Sequence, residues 1–504
     1  MKKFLMLPLM VFLMGPGDPW VDASTHDLNG YARALSLDLR GNVPTAAELN
    51  DIEAAGEVTD ELLDAWLQST AFEEQVIAKH RDFFWNELEI NLLQRRKMFK
   101  RDGIYSNNQR ARYTRGELQA HCGDFEADVN ELNQPITWDE NDDGSIAEGY
   151  VQVAPYWDPE NPVEVCALDA QLTLVSENGV DCSTRAAHEE PDCGCGPELR
   201  WCIISSVENA MEEAFSQDLT ERVRGMLQAD SPYTELFAGN TMYMNGPMVH
   251  FFRHIARFDT DNYELPVPLE MLPEIDGNDR EFTPVTLADH HDGVLTAPGW
   301  LLRHQTNRGR ANRFYSAFLC KQFIPAEDGV GGLSEAEVPT PNLTMREGCL
   351  GCHARLEPWA AYWGRWSEAS TVYRSDDTFP AHSDECAACG MGSGSCSDFC
   401  DDYYVVETTH EDLAPYVGWY KPYAFLTGDK QSHPDLGPLG WVDQSEADGS
   451  LGTCATRNTA RWLLDWEEEP AVYEGWASDF NANLSYRELV KQIVTSPQYW
   501  GGTP

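Results

Sequence analysis

Five consecutive residues, Cys349-Leu350-Gly351-Cys352-His353, carry the most specific chemistry in the 504-residue chain. Two thiols with two residues between them match the spacing of the vinyl groups of a haem, across which thiols add. A histidine directly after the second thiol falls under the iron as an axial ligand. Composition alone would produce this pattern in roughly one chain in a hundred of this size. The spacing therefore points to one covalently attached haem c, with Cys349 and Cys352 holding the porphyrin and His353 on the iron. Two other readings stay open at this stage. One is a zinc knuckle, with Cys386-x-x-Cys389 as the second pair; the other is a disulfide with a neighbouring histidine. A single motif does not build a multihaem relay or a dihaem peroxidase. The sixth iron ligand is open among Met391, His382, His410 and His433, which all follow the motif.

Other constellations are weaker. Arg303, Arg308, Arg310 and Arg313 cluster in a chain poor in basic residues. They suit either the two carboxylates of a haem or surface ion pairs. Asp139, Asn141 and Asp143 stand at positions 1, 3 and 5 of a calcium-loop pattern, with Gly144 at the turn and Ile146 after it. Position 12 is Tyr150 instead of a bidentate glutamate, so the choice lies between a weak calcium site and an acidic glycine turn. Asp289-His290-His291-Asp292 reads as a solvated loop, because adjacent residues rarely converge on one ion. Cys386, Cys389, Cys396 and Cys400 fit zinc or an iron–sulfur cluster, and fit disulfides better in an exported chain. No Ser/His/Asp order, phosphate loop or paired-carboxylate motif stands out.

The N-terminus sets the compartment. Lys2 and Lys3 precede an apolar run from Phe4 to Met14, closed by Gly15-Pro16-Gly17. That is the layout of a signal peptide, expected over residues 1–23 with cleavage after Ala23, or alternatively at Gly17. The expected location is periplasmic or secreted. No later stretch reaches the roughly 20 apolar residues of a spanning helix, so no membrane span is expected in the mature chain. A net charge of -47 argues against nucleic acid and anionic lipid as partners. Sixteen tryptophans and a 42% hydrophobic fraction describe a folded protein rather than an acidic tail. Of the 14 cysteines, setting aside the two of the motif leaves six in each half, an even number able to close as disulfides within each half.

Four domains are expected after the leader. A helical one covers 24–119, with capping boxes at Thr45/Glu48 and Thr70/Glu73. Leu62, Leu63, Trp66 and Leu67 recur there at helical spacing, and Phe83, Phe84, Leu88, Leu92 and Leu93 fall on the face of a longer helix. Arg95–Arg115 is a basic surface stretch. A Cys-rich insert follows at 120–198, with short strands at Tyr150–Val153 and Gln171–Val175. The third domain, 199–325, is helical to about Phe258 with breaks at Ser231-Pro232 and Gly246-Pro247. Met242, Met244 and Met248 are its core at helical spacing, and a Pro-rich passage leads to a helix around Ala311–Phe323. The fourth, 326–504, bears the haem motif, a second Cys-rich loop at 382–402, a helix at Thr459–Trp466 and a final helix capped by Ser485 and Glu488.

Several blocks resemble the large cytochrome-c-like proteins abundant in planctomycetes and myxobacteria. Leu35 to Glu48 is similar to that family's N-terminal "LDLxGxxPTxxE" signature. Ala229-Asp-Ser-Pro-Tyr through Asn245 is similar to its middle helical block, and Gly293-Val-Leu-Thr-Ala-Pro to the segment before its haem motif. Cys349–His353 with Glu357-Pro358 and Gly364-Arg365-Trp366 resembles its haem signature, with Glu357 where the family usually has Asp. Tyr486-Arg-Glu-Leu-Val through Tyr499 resembles its closing helix. The Cys-rich inserts have no counterpart there. The resemblance implies a periplasmic or secreted haem protein without an established substrate.

The fold class expected is mainly α: a multi-domain helical protein with a cytochrome-c-like haem segment and small disulfide-rich, partly β inserts. The function expected is electron transfer with a redox partner protein, through an iron whose potential the protein sets by ligand and burial. A simple carrier needs only about a hundred residues. Two alternatives follow from the excess: a disulfide-stapled binding or scaffold module without a redox role, and a haem-dependent oxidoreductase.

Overall fold

The computed structural model describes residues 28–88, 111–112, 120–121, 125–129, 139–140, 146–155, 159–167, 169–182, 193–199, 205–255, 264–277, 279–323, 340–368, 371–392, 395–407, 409–465 and 471–499. The expected signal peptide lies outside them, as does most of the basic stretch from Arg95. Helices dominate the described residues, and strands occur there only as four two-stranded antiparallel pairs. No helix among them is long and apolar enough to cross a membrane. The chain forms two units, one of residues 1–75 with 494–503, the other chiefly of residues 76–493.

In the first unit, α1 (Leu28–Arg40), α2 (Ala46–Ala55) and α3 (Asp60–Leu67) follow one another across short turns. The Thr45/Glu48 capping box forms, and Gly56 ends α2 at φ +76°. Glu48 also accepts from Trp66 Nε1 (2.7 Å) and Arg40 Nη1 (2.9 Å), so one carboxylate ties together all three helices. Burial works to raise its pKa, but hydrogen bonds from Arg40, Thr45 and Trp66 outweigh burial and hold it at about 2. Leu35, Leu39, Ile52, Leu63, Trp66 and Leu67 are buried.

Helix α4 (Thr70–Phe84) departs from expectation at both ends. Its cap is Ser69, whose hydroxyl accepts from Phe72 N (3.2 Å), one residue before the expected Thr70. It stops at Trp85, where φ is +50°, so Leu88 lies beyond the helix; Leu92 and Leu93 lie outside the described residues.

In the second unit β1 (Ala111–Arg112), before the Cys-rich insert, pairs with β2 (Ala120–His121) at its start, and the insert carries β3 (Asp139–Glu140) with β4 (Ile146–Ala147). It also carries β5 (Tyr150–Val153), which pairs with β6 (Val163–Cys166) from Tyr150↔Cys166 to Val153↔Val163. Gln171–Val175, expected as a strand, makes only a single bridge from Val175 to Asp181. Leu172, Leu174 and Val175 are exposed, and nothing lies over them to reward an extended pairing. Cys182 bonds Cys193, and Cys166 and Cys195 are also disulfide-bonded.

Next come α5 (Ser205–Gln228), α6 (Glu235–Ala238), β7 (Thr241–Met244) and α7 (Gly246–Ile255). Ser231-Pro232 breaks the helical run as expected. Gly246-Pro247 instead opens α7, a first-turn position that proline tolerates. The methionine expectation needs correction in form: Met242, Met244 and Met248 are all fully buried, but the first two alternate along a strand. β7 pairs with β8 (Thr283–Thr286), with Met242 opposite Val285. A buried Asp218–Arg222 pair holds this region together (3.1 Å). Asp218 also accepts from Tyr243 N, and Arg222 donates to Gly293 O.

Helices α8 (Pro298–Arg303) and α9 (Asn307–Ala317) replace the helix expected at 311–323; Cys320 has φ +52° and cannot continue it. α10 (Leu350–Ala360) packs on α9 and runs into a tight turn at Ala361–Trp363. The second Cys-rich segment is a helical clasp rather than a loop. α11 (Asp384–Met391) and α12 (Asp398–Tyr403), capped by Ser383 and Ser397, are joined by Cys386–Cys400 and Cys389–Cys396.

The chain closes with α13 (His433–Ala447), α14 (Ser450–Leu464), α15 (Ala471–Asn483) and α16 (Tyr486–Val494). α14 covers 459–464 of the helix expected at 459–466 but begins earlier, after Gly449 at φ +73°, and ends at Asp465 (φ +52°); Trp466 lies outside the described residues. α13 kinks at Gly437, where φ is +63° and a Cβ would meet the Trp366 ring at 3.2 Å. Cys320–Cys454 ties the segment after α9 to α14.

Candidate functional site

The Cys349–His353 motif forms the first turn of α10. Upstream, Asn342 Oδ1 accepts from Thr344 N and Oγ1 (3.0 and 2.6 Å), and Arg346 Nε donates to Thr340 O (2.8 Å). Gly348, at φ +77°, then turns the chain into the helix. Cys349 is the N-cap, and its carbonyl accepts from Cys352 N (3.2 Å) and His353 N (3.0 Å). Helical spacing puts Cys349, His353 and Glu357 along one face, with Cys352 beside them.

Cys349 and Cys352 are half-buried free thiols, the only free cysteines among the described residues. The ten other described cysteines are disulfide-bonded. Cys386 and Cys389 are therefore committed to disulfides, which removes the second pair that a zinc knuckle would need. No three His, Cys, Asp or Glu side chains among the described residues form a cation site.

His353 is held from the opposite edge of its ring to the one a metal would use. Its Nδ1 contacts the Glu357 carboxylate one turn on. A carboxylate only accepts, so Nδ1 donates, and in the neutral ring that leaves the Nε2 lone pair for a ligand. Glu357 is itself gripped by Arg308, Nε to Oε1 at 2.7 Å and Nη2 to Oε2 at 3.1 Å. The role of Glu357 escaped the sequence reading beyond its place in a family block. The signal that could have found it is the i, i+4 relation to His353 in a helix.

The arginine cluster separates into different tasks. Arg310 is fully buried and donates to the carbonyls of His304, Leu301 and Ser367, a structural knot where α8, α9 and the segment after α10 meet. Arg313 donates to Phe83 O (2.7 Å) and lies 3.7 Å over the Trp85 ring. Arg303 borders a different pocket, beside Glu212 and Glu213. Only Arg308 reaches the motif helix.

The other face of α10 is fixed by stacked rings. Trp359 lies on Trp441 (4.6 Å, 9°) and Tyr362 on His433 (4.1 Å, 12°), while His433 Nδ1 donates to Pro358 O (2.7 Å). That bond fixes the His433 ring through Nδ1 and leaves Nε2 outside it, as at His353. Of the other sixth-ligand candidates, Met391 is 74% exposed, His382 sits edge-on to Trp419, and His410 Nδ1 accepts from Asp412 N.

Beside α10 lies a cleft of about 1210 Å³ including its open mouth, bordered by Arg308, Glu357, Pro358, Trp366, Arg374 and Tyr403 among others. Glu357 links the two features, since it lines the cleft and holds His353.

Two expected sites fare differently. Asp139 pairs with Ala147 in a small hairpin, while Asn141 and Asp143 lie outside the described residues, and the calcium loop with them. Asp289 and His290 in the run at 289–292 are exposed, as a solvated loop requires, but His291 is not. His291 is 1% exposed, edge-on to Trp366 and Tyr373, and burial pushes its pKa down to about 3. His290 stacks on Tyr373 (4.8 Å). Gly293 makes this packing fit: at φ +52°, a Cβ there would fall 2.1 Å from Phe237 O.

Compared with known protein families, curated proteins and solved structures, the chain matches none.

Proposed function

We propose that this chain is an exported protein carrying one covalently attached haem, which exchanges electrons with a partner oxidoreductase. One observation carries the reading: the only free thiols among twelve described cysteines are Cys349 and Cys352, directly before a histidine whose Nδ1 is already engaged. With every other described cysteine oxidised, two thiols left free at vinyl spacing fit thioether formation. A bound haem supplies an iron that cycles between two oxidation states.

The protein's own residues do the rest. Cys349 and Cys352 anchor the porphyrin on the first turn of α10, and His353 offers Nε2 in a fixed tautomer. Glu357 and Arg308 hold that imidazole, and the rings of Trp359, Tyr362, His433 and Trp441 keep the helix from rolling. A pyridine haemochrome assay on periplasmically expressed protein should report one c-type haem per chain that survives acid–acetone extraction. Extractable haem, or none after maturation-competent expression, would overturn the proposal.

A further inference from the structure

The cleft beside α10 carries a chemistry of its own. Pro341, Leu343, Pro358, Phe425 and Leu426 give it apolar walls, and Tyr403 adds a ring. Three cations and three acids also line it, a local balance in a chain of net charge -47. Arg308 is spent on Glu357, and Lys421 Nζ donates to the carbonyls of Asp401 (2.7 Å) and Asp402 (2.9 Å). Arg374 differs. Its Nη1 donates to the Tyr420 hydroxyl (3.0 Å), and its guanidinium lies over the rings of Tyr403 (4.7 Å) and Phe379 (5.7 Å). Among the described residues it has no carboxylate partner, and its Nε–H is buried without an acceptor. Trp366, 2% exposed and also lining the cleft, has a buried indole N–H in the same condition.

A guanidinium that no described carboxylate neutralises can be compensated by an ionised oxygen brought by a ligand. A guanidinium edge matches the two oxygens of a carboxylate. We propose that this cleft binds a carboxylate borne on a planar apolar body, with Arg374 taking the oxygens and the apolar and aromatic walls the body. Two sources have that chemistry: the propionate of a haem attached to α10, and a free aromatic carboxylate.

Calorimetric titration with benzoate tests the site, with benzamide as the neutral match, on wild-type protein and on the haem-free Cys349→Ala/Cys352→Ala chain. The haem-free chain should prefer benzoate by about tenfold or more. Arg374→Gln should abolish the preference, and Arg374→Lys, which keeps the charge, should weaken it severalfold. If haem-loaded wild type refuses benzoate while the haem-free chain binds it, the propionate is the natural occupant. If both bind alike, the occupant is a free carboxylate. Equal or absent binding of benzoate and benzamide by the haem-free chain overturns the proposal, as does an undiminished preference in either folded Arg374 variant. Because the readout is taken without haem, it stands or falls apart from the haemochrome result.

Discussion

Replacing Glu357 by glutamine removes a charge and keeps the shape. The carboxylate holds His353 Nδ1 and receives Arg308 at 2.7 and 3.1 Å. A hydrogen bond to a charged group contributes about 1.5–3 kcal/mol, against about 0.5–1.5 for a neutral pair, so the exchange weakens the hold on the imidazole by about 1 kcal/mol. Two features keep the effect from growing: the Glu357 side chain is 23% exposed, and Arg308, 48% exposed, neutralises part of its charge. A carboxylate on Nδ1 makes Nε2 a stronger donor, which favours the oxidised iron over the reduced one. Glu357→Gln in the haem-loaded protein should therefore raise the reduction potential by up to about 40 mV, since about 1.4 kcal/mol corresponds to 59 mV for one electron and only the part of the change felt by one oxidation state counts. Arg308→Ala should lower it, by less. Spectroelectrochemical titration of the three proteins reads both signs. A Glu357→Gln potential equal to or below that of wild type would refute the role given to Glu357.

Three further outcomes concern stability. Cys320–Cys454 spans a separation of 134 residues, and closing so long a loop restricts the unfolded chain by about 5 kcal/mol, so Cys320→Ala/Cys454→Ala should lose stability of that order in urea; a loss below about 1 kcal/mol contradicts the estimate. His80, His291 and His304 are held neutral, burial pushing them down to about 4, 3 and 3 from 6.5. The unfolded chain binds more protons below pH 6.5, so this stability is complete above that value and drains as pH falls toward 4, by roughly 2 kcal/mol per histidine at pH 5. His80→Phe should flatten the slope between pH 7 and 5, and because both proteins share the relief of acidic repulsion, identical slopes would count against it. Thr45→Ala removes a cap and should cost about 1 kcal/mol by thermal or urea melting; no change would mean that the Glu48 bonds to Arg40 and Trp66 hold the turn without it.

Features decided within a few residues were legible in advance. The Thr45/Glu48 box and the Ser485 cap are local, and both form. The cysteine halves are local in a looser sense, and every described pair closes within its own half. What required partners far along the chain was hidden. Met242 and Met244 lie on a strand because β8, some forty residues away, pairs with them, while Met248 stays on a helix. Four clustered arginines look alike in sequence, yet burial makes Arg310 a structural knot and leaves Arg308 at the motif. Nothing in the spacing of Asp289-His290-His291-Asp292 marks His291 as buried, because its ring partners Trp366 and Tyr373 lie far along the chain. At the site, the sulfur and nitrogen donors were legible, whereas the Glu357–Arg308 support and the Arg374 cleft depended on α9 and the segment after α10 coming together.

The position of Cys349 and Cys352 between Cys320 and Cys454 bears on how the chain must be manufactured. Among the cysteines of the C-terminal half, Cys320 emerges first, the motif thiols second, the four cysteines of the clasp third and Cys454 last. Oxidation favours near neighbours, because shorter loops close at lower entropic cost. Cys386–Cys400 and Cys389–Cys396, 14 and 7 residues apart, gain from that bias. Cys320 suffers from it, since Cys349 is a far nearer mate than Cys454. The correct bridge thus depends on both motif thiols being withdrawn from exchange before the last helices arrive. The haem attachment proposed above would do this; without it Cys349 would compete with Cys454 for Cys320.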